Sequence, residues 1–242
     1  MTGPGDLSVL LQNTQVMQSK NLWWVGFYAV AMAYLESAVV VYLRRIYGIS
    51  DLILHVPPFD PQIAAIELGR ELATLIMLLA VGWAAGKRFQ PRLGFAVFAF
   101  GVWDIFYYIW LRIFIGWPQS LLDPDLLFLL PLPWWGPVLA PVLIAALMAA
   151  GGALAIIGDD RGQTVRLLPA EWAALIVGNL AMLYAFMEDT LAMLPADSQA
   201  LSQLRPTSFN WPVYLIGFSL ATIFVWRATW PGLKNTNFRS GG

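Results

Sequence analysis

The chain has 242 residues, of which 59 % are hydrophobic and only 12 % charged, with a formal net charge of −1. Soluble domains carry about 25 % charged residues, and a mean hydropathy of +0.64 leaves too few polar groups to cover a water-facing surface. A near-neutral charge excludes a nucleic-acid partner, since gripping phosphates takes an excess of Lys and Arg. The chain has no cysteine and a single histidine, His55, so haem held by two histidines, iron–sulfur clusters and thiolate zinc have no ligands.

The composition predicts an all-α, polytopic integral membrane protein. Residues 1–21 are expected to form a short polar N-terminal segment, without the basic and apolar regions of a cleavable signal peptide. A hydrocarbon core is crossed by about 20 apolar residues in a helix. Six stretches reach that length, near 22–47, 63–86, 93–116, 135–157, 170–194 and 211–230. They make one transmembrane domain over 22–230, followed by a C-terminal tail over 231–242. Their continuity does not fit a membrane β-barrel, whose strands alternate over about 10 residues. Prolines 91, 131, 133, 137, 169, 195, 212 and 231 punctuate the edges of the spans.

The first span carries Glu36 near its middle and ends on Arg44 and Arg45. A loop with Asp51, His55, Pro57, Pro58 and Asp60 follows, and His55 there reads as a solvent-facing side chain, with a proton-accepting or metal-binding role as the alternative. In the second span Glu67, Arg70, Glu71 and Thr74 fall at i, i+3, i+4 and i+7, on one helix face. Gly82 and Gly86 form a GxxxG pattern, which signals close helix packing rather than chemistry.

The third span carries Asp104, Tyr107, Tyr108 and Arg112 along one side. The connection after it, from Trp117 to Trp135, holds an apolar run over 126–130 that is too short to span. It is expected to lie in the interface or to dip in as a lid over the charged spans. The fourth span is rich in small residues, including Ala145, Ala149, Gly151 and Gly152, and ends on Asp159 and Asp160. An intramembrane aspartic protease is rejected, because no Tyr-Asp partner lies in a neighbouring span. The fifth span carries Glu188 and Asp189, shallow enough to reach water. The sixth has only Arg227, near its end.

Lys and Arg set the orientation. With the N-terminus inside, Lys20, Lys87, Arg88, Arg92, Arg161, Arg166, Arg227, Lys234 and Arg239 share one side, against Arg44, Arg45, Arg112 and Arg205 on the other. Both termini are therefore expected in the cytoplasm, in a bacterial-type inner membrane or its equivalent. Trp residues gather at the span edges, as interfacial belts do.

Charges inside spans carry the functional argument, because each costs several kcal/mol in hydrocarbon unless paired or wet. At about 1.5 Å per residue, Glu36, Glu71 and Asp104 each lie roughly 12 Å below the outer ends of their helices. The candidate binding residues are accordingly Glu36, Glu67, Arg70, Glu71, Asp104, Tyr108 and Arg112. Arg44, Arg45, His55, Glu188 and Asp189 are secondary. The competing reading is that the same charges form a polar network that only fixes helix packing.

Three functions fit. The first is binding or translocation of a small solute or cation at a carboxylate- and arginine-lined site in the outer half of the bilayer. The second is a non-catalytic subunit docked on a larger membrane protein, or on further copies of itself. The third is an intramembrane enzyme acting on an anionic lipid-type headgroup, with the arginines gripping phosphate or carboxylate and an acid serving as general acid, general base or ligand to a hard cation. Besides the bilayer itself, no partner is specified by the spacing.

Overall fold

The computed structural model describes residues 17–46, 48, 61–128, 134–165, 167–194 and 208–229. A 3-10 turn, Gln18–Asn21, leads into helix α1, Leu22–Ile46, and helix α2 spans Pro61–Ala85. Helix α3, Phe89–Ile115, is followed by strands β1, Pro124–Phe128, and β2, Trp134–Pro137. Helices α4, Leu139–Asp160, α5, Pro169–Ala192, and α6, Trp211–Thr229, complete the described chain. His55 and Arg205 lie outside the described residues.

Most helix boundaries fall within a few residues of those expected, and the prolines explain why. Pro61 and Pro169 open their helices, and Pro91, Pro141 and Pro212 fall in a first turn. There a missing backbone N–H costs no intrahelical bond. At its other end α3 stops at Gly116, whose φ of 72° is left-handed. Its N–H closes back on the Arg112 carbonyl at 3.1 Å, which satisfies one of the orphaned carbonyls of the last turn.

Five of the helical segments, Gln18–Ile46, Phe89–Ile115, Leu139–Asp160, Pro169–Ala192 and Trp211–Thr229, are long and apolar enough to cross a membrane. Their exposed faces are apolar: Trp23 is 76 % and Ile216 62 % exposed. In water such a surface would aggregate, whereas in lipid it is ordinary. The molecule thus has the build of a multi-pass membrane protein. Helix α2 has comparable length, 25 residues, but carries the Glu67, Arg70 and Glu71 charges.

The chain is mostly helical, as the all-α reading expects, and the described residues add one short element of another kind. The connection after α3 folds into an antiparallel ribbon, with Pro124 opposite Pro137, Asp125 opposite Gly136 and Leu126 opposite Trp135. The first residues of the 126–130 run therefore form a strand. Pairing satisfies the backbone polar groups that an extended apolar segment would otherwise leave bare near lipid.

Helix α3 is the hub, packing on α1, α2 and α4, while α4 also meets α6 and α6 pairs with α5. Small residues set the α3–α4 approach. A Cβ on Gly152 would sit 2.7 Å from the Phe98 nitrogen, and one on Gly101 2.6 Å from the Ala149 nitrogen. The expected tight packing of the small-residue fourth span is present here, as is that of Gly82, where a Cβ would lie 2.7 Å from Ala96 on α3. Such close approach is how membrane helices gain dispersion contact when no hydrophobic effect drives them together. Two apolar clusters result. One joins α1, α2, α3 and α4 around Phe95, Ala99 and Trp103; the other joins α4, α5 and α6 around Met182, Phe186 and Tyr214, with Leu127 and Trp134 of the ribbon against it.

Candidate functional site

Helices α1 and α2 touch each other only sparingly, and the tie between them is ionic. Arg70 on α2 reaches Glu36 on α1 with one terminal nitrogen. Its Nε donates to Glu67 Oε2 at 2.7 Å, one helical turn back on the same face. Glu71 Oε1 lies 4.0 Å from the other terminal nitrogen. The Thr74 hydroxyl donates to Glu36 Oε2 at 3.3 Å, one further turn along that face. Helical spacing brings Glu67, Arg70, Glu71 and Thr74 into line, and the flat guanidinium fork then serves several carboxylate oxygens at once.

The stoichiometry is unequal. Three carboxylates, Glu36, Glu67 and Glu71, meet one guanidinium, so the cluster has a surplus of negative charge. These side chains are mostly covered, with Glu36 only 11 % exposed. A surplus charge away from water must be neutralised by a proton or a cation, or else hydrated. Among the described residues no group of three His, Asp or Glu side chains is arranged as a metal cage. These carboxylates are instead arranged around a guanidinium.

A second polar group lies between α3 and the ribbon. Asp125 on β1 is 3 % exposed and accepts a hydrogen bond from the Tyr108 hydroxyl at 3.0 Å. Burial pushes its carboxyl up to about 6, against the opposing pull of Arg44, the Tyr108 hydroxyl and the Leu126 N–H. The Arg44 guanidinium rests 4.7 Å over the ring of Trp117, a cation–π contact favoured where water is scarce. Its Nε is buried without a hydrogen-bond partner. Asp104 is also within electrostatic reach of Asp125.

Tyr107 joins the two groups. Its hydroxyl feels Arg70 of the first and Asp125, Arg44 and Asp104 of the second. Its ring packs edge-on against Tyr108, with centroids 5.1 Å apart. Beneath it, the Ser37 hydroxyl on α1 sits 3.0 Å from the Tyr107 carbonyl and 2.8 Å from its own Ala33 carbonyl. Ser37 thereby pins α1 to α3 at the height of Glu36.

The sequence-derived candidates thus divide. Glu36, Glu67, Arg70 and Glu71 form one cluster, and Asp104 and Tyr108 join a neighbouring one with Arg44. Arg112 turns away from both, donating to the backbone carbonyls of Gly116 and Pro118 beyond the end of its helix. There it holds the turn into the connection. Arg45 is exposed. Glu188 accepts from Tyr184 at 3.4 Å on the outside of α5, and Asp189 follows it on the same helix. Asp125 and Thr74 complete the polar track, and of these two only Thr74 has a signal in the sequence, its i+7 position. Asp125 has no helical spacing to betray it.

At the other end of the bundle the charges are structural. The Gln18 and Ser19 N–H groups donate to Asp160 at 2.9 and 2.8 Å, and Arg88 pairs with Asp159 at 2.7 Å. Arg227 on α6 pairs with Glu171 on α5 at 3.1 Å. Asp159 and Asp160 accordingly staple the 3-10 turn to the end of α4, where the sequence offered no partner for them. No protein-family model, curated protein or solved structure matches the chain.

Proposed function

We propose that the protein crosses the membrane six times, with α2 as the sixth span and both termini in the cytoplasm, and that the α1–α2 carboxylate cluster binds and passes a small solute or cation. One observation carries this reading: three carboxylates converge on a single guanidinium in a mostly covered site. A network built only for packing balances its charges, since each unmatched ion raises the desolvation cost. Glu36, Glu67 and Glu71 instead leave room for an incoming positive charge, with Arg70 as the resident cation that biases their ionisation. Asp104 and Tyr107 extend the polar track toward the ribbon.

Native mass spectrometry of the gently solubilised protein tests this. The reading expects a small bound ligand that is lost in E36Q and E71Q. A stoichiometric protein partner, with no ligand, would instead support a non-catalytic subunit of a larger complex. One feature favours the third reading, an enzyme for an anionic headgroup: the buried, unpartnered Arg44 Nε is a donor waiting for an acceptor. An anionic lipid in the same spectrum, lost in R44Q, would support that alternative.

A further inference from the structure

The ribbon is attached to α1 and α3 through one buried carboxylate. Asp125 sits on β1, nearly sealed from solvent, and its side-chain partners come from α3 and α1. From α3 come the Tyr108 hydroxyl at 3.0 Å and the charge of Asp104; from α1 comes Arg44, stacked on Trp117. We propose that Asp125 is a proton-sensitive clasp, by which the pH on its side of the membrane sets how firmly the ribbon holds against α1 and α3 beside the polar track. The clasp deepens the solute-binding reading and rests on it for its purpose, because Tyr107 ties Asp125 to the Arg70 cluster.

The sign follows from burial. Engaged, Asp125 holds its proton up to about 6; released into water it would behave as a free aspartate, at about 3.9. The engaged state therefore binds protons more tightly, and acid strengthens the clasp. Above about pH 6 both states are ionised, and the engaged one bears the cost of a buried charge that Arg44 and Tyr108 only partly offset. The released-to-engaged ratio should rise about 30-fold between pH 4 and pH 6, gain about a further twofold above that, and then level off.

The absence of cysteine allows a direct test. Leu127 packs on the α4–α6 cluster while the ribbon is engaged, whereas Leu122 is exposed. Single-cysteine L127C and L122C proteins in vesicles are labelled with a membrane-impermeant maleimide from pH 4 to 8. Their rate ratio cancels the thiol's own ionisation. The clasp predicts a ratio that climbs toward pH 6 and then flattens. Adding D125N should hold the ratio low at every pH, since the amide mimics the protonated acid. Adding Y108F removes a bond to the ionised form, so the plateau should move to higher pH. A ratio independent of pH in the L127C protein overturns the clasp, as does an unshifted plateau with Y108F. Adding E36Q should leave this response intact while abolishing ligand binding, so failure of the clasp and failure of the binding reading are separately visible.

Discussion

Arg70 is the side chain on which the α1–α2 site depends. Replacing it by leucine would leave Glu36, Glu67 and Glu71 facing one another without a counter-charge. Breaking a buried ion pair from one side costs about 3–5 kcal/mol, so R70L should unfold at clearly lower temperature in detergent. R70K keeps the charge but loses the planar fork that serves Glu36 and Glu67 together, and should fall between R70L and the unaltered protein. An unchanged melting temperature for R70L would mean that the cluster is hydrated and its charges independent. The residues of α2 were legible in the sequence because helical periodicity is local: Glu67, Arg70, Glu71 and Thr74 announce their shared face by spacing alone. Glu36 could be matched to them in depth, since rise per residue is fixed. Asp125 could not, because its burial depends on strand pairing and on Tyr108, 17 positions earlier. Arg112 shares the side of α3 that suggested a site, yet its long side chain reaches forward to the free carbonyls at the helix end, a choice that helical spacing does not encode.

At the scale of elements, packing depends on where a Cβ can be accommodated. On Gly101 it would collide with backbone of α4 at Ala149, and overpacking of this kind costs about 1–3 kcal/mol. G101V should lower the melting temperature and weaken the α3–α4 contact, on which the hub arrangement rests. Gly69 is the counter-case. It lies within α2, and a Cβ placed there would meet nothing within 4 Å, whereas glycine inside a helix costs roughly 0.5–1 kcal/mol relative to alanine. G69A should therefore raise the melting temperature slightly, and a fall would show that α2 meets a further surface there. The GxxxG pattern and the small residues of α4 made these contacts readable in advance. The ribbon was not readable, because an apolar run of a few residues suits a strand, a buried helix turn or an interfacial segment equally, and only the distant Trp134–Pro137 stretch decides among them.

For the whole molecule, the proposed topology puts Lys87 and Arg88 on the cytoplasmic side and the ribbon on the other. K87C should then be labelled by an impermeant maleimide only from the cytoplasmic side, and L122C only from the opposite one; labelling of both from one side would remove α3 from the count of spans, and the reverse pattern would remove α2. Composition alone made the membrane class legible, since 12 % charge admits few other solutions. The binding role requires more, because a polar cluster can serve either packing or passage. The most direct measurement is flux. Purified protein in proteoliposomes loaded with a pH-sensitive dye is given an inside-negative potential with potassium and valinomycin, and proton entry and methylammonium uptake are followed. Uptake of at least one of the two should exceed that of protein-free vesicles, be abolished in E36Q and E71Q, and be retained in E188Q, whose carboxylate lies outside the cluster. Fluxes equal to those of empty vesicles, or unaltered by E36Q and E71Q, would mean that the carboxylate cluster does not pass a cation.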